Sequence, residues 1–176
     1  MFVASQIIGA IAGLCLLPSY FTKNKVVVLL CGILANIMFA LQFFFLKAYT
    51  GAIINFILIL PVLWYFVYNN TGKKIPMYVL IVCECVAVVC TAITWVGWVS
   101  VLPLVASIIY TYSTWQDNLL VYKWLSIVNT ICWDIYAIIN VSPVTIIIES
   151  ILVVSNIVAI IIAYKNKNKN LEYIVG

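Results

Sequence analysis

Apolar runs of roughly twenty residues, the length that spans a bilayer core, follow one another through most of this chain. Polar stretches of only a few residues separate them. Inside lipid every backbone N–H and C=O must find its partner within the protein, so such runs must be helices. Of the 176 residues 66% are hydrophobic and 8% charged, against about 25% charged in an ordinary soluble domain. The mean hydropathy is +1.21. No polar stretch is long enough for a separate soluble domain. These features exclude a water-soluble fold and predict an all-α membrane protein in one bundle. The N-terminus lacks a basic n-region and a small-residue cleavage site, so the first run is read as a retained helix and not a signal peptide.

Turn residues divide the chain into seven predicted transmembrane helices, over residues 3–21, 26–46, 51–68, 76–95, about 98–115, 119–139 and 144–164. With seven helices, the loops after the first, third and fifth lie on the side of the C-terminus. Those segments hold Lys23, Lys25, Lys73, Lys74, Lys123, Lys165, Lys167 and Lys169, and the opposite side holds only Lys47. Positive residues stay in the cytoplasm. The N-terminus is therefore expected outside and the C-terminus inside, in a multi-pass protein of the cytoplasmic membrane. The basic tail, 165–176, reads as a topology signal and a lipid contact, and not as a nucleic-acid site.

Histidine is absent, which removes His-based triads, His metal sites and the usual proton shuttle near neutrality. The cysteines at 83 and 85 point about 200° apart on a helix and, like Cys15, Cys31, Cys90 and Cys132, read as buried thiols. Neither a metal site nor a cofactor is implied. No Gly-rich phosphate loop or activated nucleophile is visible, so an enzyme is not expected.

Shifting the sequence by 94 residues lays helices one to three on helices five to seven without a gap. Ser19 then meets Ser113, Phe39 meets Trp133, Leu58 meets Leu152, and Asn55 meets Glu149. The fourth helix is left over as a spacer. An odd repeat plus one linker restores a parallel orientation of the two halves, the arrangement known from sugar-transporting SWEET proteins. The expected layout is two three-helix bundles joined by a linker helix (3+1+3): residues 1–69, linker 70–97, residues 98–164, then the tail.

Against this background the polar residues inside apolar helices stand out. Glu149 and Asn156 are seven residues apart, about two turns, and share a face. A charge at a helix centre costs about 2.5–3.5 kcal/mol even on insertion scales, so Glu149 should face protein or a water-filled cavity. Asn55, Asn129, Trp133, Glu149 and Asn156 are the candidate substrate-binding residues. Asp134 and Glu149, if they face each other, would share a proton or hold a cation. The alternative for each polar group is a hydrogen bond between helices, and for Trp133 packing. Glu84 on the linker reads best as an inter-bundle hydrogen bond.

Several features resemble the YgjV-type bacterial inner-membrane proteins. They are Gln6 with Gly9, the Gln-Phe-Phe-Phe-Leu run at 42–46, Gly51 with Asn55, Leu102-Pro103 with Trp115, Cys132-Trp133, and Glu149 with Asn156. Asp134 lies outside that pattern. The resemblance implies a bacterial inner membrane and a layout similar to SWEET, PQ-loop and PnuC transporters, whose hinge prolines Pro103 and Pro61 partly match. The expected function is a small-molecule transporter or facilitator with alternating access, coupled to protons through Glu149. Its partners would be lipid and a solute of unknown identity. The alternative is a non-transporting receptor or assembly protein on the same fold. The small-residue face Gly9–Gly13 would serve inside the bundle or between copies in a homo-oligomer.

Overall fold

The computed structural model describes the backbone of residues 1–22 and 24–175. The side chains of Tyr20, Phe21, Leu119, Ala163 and residues 166–175 are outside that description. The expected topology signals at Lys23, Lys167 and Lys169 therefore fall outside it in whole or in their side chains.

Among the described residues the chain is all helical, without strands. Its segments are α1 (Phe2–Phe21), α2 (Lys25–Phe45), α3 (Tyr49–Ile57), α4 (Ile59–Asn70), α5 (Met77–Ile93), α6 (Val101–Trp115), α7 (Leu119–Ile139) and α8 (Pro143–Val175). One 3-10 turn, Trp98–Ser100, leads into α6. Segments α3 and α4 form one apolar stretch, which makes seven helices. Four stretches are long and apolar enough to cross a membrane: Phe2–Ser19, Lys25–Phe45, Tyr49–Asn70 and Pro143–Ile162. The 21-residue α7 has the length too, with a more polar composition.

Local chemistry explains the boundaries. Asn24 and Asn118 cap α2 and α7, their side chains accepting from the backbone N–H of Val26 and Leu120, both at 2.9 Å. Such caps hold orphan donors at a helix start. Both helices end in a left-handed turn. Lys47 N–H donates to Phe44 O and Ala48 N–H to Phe43 O. In the second turn, Val141 N–H donates to Ile138 O and Ser142 N–H to Ala137 O. This is the Schellman pattern, with Lys47 at φ 61° and Val141 at φ 51° where glycine is usual.

The break between α3 and α4 falls at Leu58. Pro61 has no N–H to offer the carbonyl of Ile57 four residues back, and its ring crowds that carbonyl. Pro103 is different: it stands in the first turn of α6, where a missing N–H costs nothing, and so does not interrupt a helix. The last helix corrects the sequence expectation. It does not stop at residue 164 but continues to Val175. At 1.5 Å per residue its 33 residues reach about 50 Å, well beyond a bilayer core of about 30 Å.

In sequence order α1 packs on α2, α2 on α3, α6 on α7 and α7 on α8. Across the chain α1 packs on α8, while α6 packs on α3 and α4, with α5 against α3, α4 and α6. The Gly9–Gly13 face is used inside the bundle: a Cβ on Gly9 would lie 2.5 Å from Gln42 of α2, and one on Gly13 would lie 2.4 Å from Ile148 of α8. Glu84 accepts a hydrogen bond from Ser107 of α6 at 2.9 Å, which ties the linker helix α5 to α6. At the centre Phe43 of α2 stacks on Trp133 of α7, with ring centroids 5.6 Å apart, and Tyr136 meets both rings edge-on.

Candidate functional site

A polar cavity lies beside this aromatic cluster, bounded by α1, α2, α3, α6, α7 and α8. Asn55, Asn129, Trp133, Glu149 and Asn156, the five residues singled out from sequence as substrate-binding, all stand on its wall. Asn55 donates from Nδ2 to Gly51 O at 2.8 Å, a bond within its own helix that fixes its amide. Glu149 is buried beside the Thr130 hydroxyl. Asn156 donates to Ser126 Oγ at 3.4 Å. Trp133 is buried, with one ring face against Phe43 and Tyr136 edge-on to it. Asp134 is not on the cavity wall; it stands near enough to Glu149 to act on it electrostatically, and its Oδ1 has no hydrogen-bond partner among the described residues.

Sequence reasoning missed much of the wall: Asn36, Tyr110, Lys123, Ser126, Thr130 and Thr145. The spacing of Ser126, Thr130 and Trp133 on α7, three to four residues apart, was a usable signal for the second and first of these. Lys123, counted from sequence among the lysines on the side of the C-terminus, is buried on the cavity wall with a partner of its own.

The cavity holds about 70 Å³. That is room for a few water molecules, and far below the ~300–1,000 Å³ of a pocket that buries a drug-sized ligand. Hydrogen bonds between the helices bridge the bundle on either side of it. At the end away from the lysine-rich loops, Gln42 Nε2 donates to Ser142 Oγ at 2.8 Å and Thr145 Oγ1 at 2.7 Å. Gly51 N–H donates to the Tyr136 hydroxyl at 3.0 Å, Thr50 and Ser100 pair at 3.3 Å, and Val144 N–H donates to Gln6 Oε1 at 3.2 Å. None of these groups carries a charge. At the lysine-rich end Lys25 Nζ donates to Thr114 O at 2.8 Å and also to Gln116 O, under the Tyr65 ring. These carbonyls end α6, where the helix dipole is negative and a cation is favoured. Lys74 pairs with Asp117 at 3.0 Å and lies over Trp115, whose Nε1 donates to Ile75 O at 2.9 Å.

The model of the Imp-YgjV family, described as a bacterial inner membrane protein, matches residues 3–167. This chain belongs to the Imp-YgjV family. It is accordingly a bacterial inner membrane protein, and its apolar helices fit that setting. No curated protein and no solved structure matches the chain.

Proposed function

We propose that this Imp-YgjV protein is a small-molecule carrier of the cytoplasmic membrane. Two three-helix halves, residues 1–69 and 98–164, rock about the central cavity and expose it to one side at a time. Segment α5, within the linker 70–97, joins them, and all seven helices cross the membrane. The observation that carries the reading is the cavity itself: walled by polar side chains from both halves, with hydrogen bonds running from one half to the other on either side of it.

The offset of 94 residues supports two equivalent halves. Helix α2 begins and ends at residues whose partners begin and end α7, and the same offset relates the capping asparagines and the two left-handed residues. Cross-half contacts also exchange under it. Thr50 with Ser100 becomes Val144 with Gln6, and Gly51 with Tyr136 becomes Thr145 with Gln42. Such exchange fits a pseudo-twofold axis along the membrane normal. The lysine distribution favours an outer N-terminus and a cytoplasmic C-terminus. Within the cavity Glu149, with Asp134 behind it, would bind or release the coupling proton, while Asn55, Asn129, Trp133 and Asn156 hold the solute. Pro61, at the break between α3 and α4, supplies one point of bending; Pro103 fixes the start of α6 beside the linker.

The test is solute uptake into vesicles reconstituted with the full chain. Flux above protein-free vesicles is expected, with a pH dependence that Glu149→Gln removes while leaving the fold intact. Absence of flux across a broad panel of solutes would overturn the carrier reading. It would favour a non-transporting receptor or assembly protein, the reading that the small cavity volume supports.

A further inference from the structure

One part of the cavity wall carries several buried polar atoms without partners among the described residues. Asn36, halfway along α2, is only 8% exposed, and its Nδ2 finds no hydrogen-bond partner among the described residues. Facing it from α6 is the Tyr110 hydroxyl, with Thr114 one turn further on. Neither hydroxyl closes a hydrogen bond at ordinary length, and both are shut off from outside. Tyr110 reaches this place because Gly32 leaves room: a Cβ there would lie 3.0 Å from the hydroxyl oxygen. On α7, Asn129 Oδ1 is buried and also unpartnered among the described residues. Asn36, Tyr110 and Asn129 all line the same cavity. A buried polar atom left unpaired costs about 1–3 kcal/mol, so several at one cavity mark a place where something else supplies the missing bonds.

The chemistry of that occupant follows from which groups are already engaged. Among the described lining residues Glu149 is the one carboxyl and lies beside the Thr130 hydroxyl, and Lys123 is the one ammonium and has a partner of its own. The groups still open are an amide N–H, an amide oxygen and hydroxyls, all uncharged. An ion entering here would surrender its hydration for neutral dipoles, a severe loss in a low-dielectric interior. A neutral molecule with a donor beside an acceptor would satisfy both the amide N–H of Asn36 and the amide oxygen of Asn129.

We propose that Asn36, Tyr110 and Asn129 form a recognition pole for an uncharged solute bearing adjacent hydrogen-bond donors and acceptors, of the amide or hydroxyl class, with Asn36 donating to its acceptor and Asn129 accepting from its donor. This deepens the carrier reading and rests on the same cavity. It assigns reading of the solute to α2 and α6 as much as to the acidic helix α8.

The experiment uses the full chain in detergent and saturation-transfer NMR with three probes of similar size: acetamide, acetate and ethylammonium. Acetamide is expected to receive saturation, and the two ions to receive little. Asn36→Leu and Asn129→Leu should each weaken acetamide binding about tenfold, the scale of one hydrogen bond. Tyr110→Phe, which removes only an oxygen, guards against a variant that fails to fold and should weaken it in the same direction. Three results would overturn the proposal: no probe binds, so the pole holds water only; an ion binds better than acetamide; or acetamide binding survives all three substitutions. Binding without flux in vesicles would sink the carrier reading and leave the pole standing, and flux of an ion without acetamide binding would do the reverse.

Discussion

Gln42 shows how much a single side chain is asked to do in this membrane. It is fully buried, its Nε2 serves the hydroxyls of Ser142, just before α8, and Thr145, on it, and its Oε1 has no partner among the described residues. Space for it exists only because residue 9 lacks a side chain: a Cβ there would lie 2.5 Å from Nε2 and 2.6 Å from the amide carbon and Oε1. Gly9→Ala must therefore displace the amide, and overpacking of this kind costs about 1–3 kcal/mol. The cost should shrink in a Gln42→Ala background, because the atoms that clash are then gone. A double-mutant cycle of unfolding midpoints in detergent measures this coupling; additive effects would mean that the two positions do not meet. Across the pseudo-axis, Tyr136→Phe removes the acceptor of the Gly51 N–H and should cost about 0.5–1.5 kcal/mol, read in the same assay. A substitution without effect would show that this end is held by the other contacts alone.

Among the elements, the two turns that follow α2 and α7 carry avoidable strain. A non-glycine residue in the left-handed region costs about 1–2 kcal/mol, more for a β-branched one. Val141 is both β-branched and 68% exposed, so it has little packing to lose. Val141→Gly is expected to raise stability by about 1 kcal/mol, the relief exceeding the extra freedom glycine brings to the unfolded chain. Thermal unfolding of the purified protein decides it; a lowered midpoint would mean that Val141 packs against something in lipid that its exposure conceals. Such turns were partly legible in the sequence. Short polar breaks at 47–50 and 140–143 placed them, and the shared offset matched them, but nothing in Lys47 or Val141 announces positive φ. Helix ends marked by chemistry, such as Asn24, Asn118 and Pro61, can be read from residues. The end of α8 cannot: falling hydropathy after Ile162 marks the edge of the lipid, and the backbone helix passes through it. Glu149 and Asn156 were readable as a pair because one helix sets their spacing. Asn36 with Tyr110 was not, since their meeting depends on how α2 and α6 are turned toward each other across 74 positions of sequence.

For the whole molecule, the decisive property is that the helices are bridged by different chemistry on the two sides of the cavity. One end is a network of neutral groups buried between the halves, while the other is held by Lys25 on the carbonyls that end α6 and by the exposed Lys74–Asp117 pair. Exposed ion pairs contribute only about 0–1 kcal/mol, so Lys25, partly buried and bonded to two carbonyls, should dominate its end. A rocking carrier requires the two closures to act separately. Ser126, on the cavity wall, offers a reporter: Ser126→Cys in a background stripped of the six native cysteines can be alkylated by a membrane-impermeant thiol reagent from either side of oriented vesicles. With both closures intact the reaction should be slow from both sides. Lys25→Ala should speed it from the lysine-rich side alone, and Gln42→Ala from the opposite side alone. Acceleration from both sides by either substitution would mean that the closures are one structure and that the halves do not move as two bodies. Acceleration by neither would mean that the aromatic cluster of Phe43, Trp133 and Tyr136, and not the polar contacts at the ends, is what bars the way.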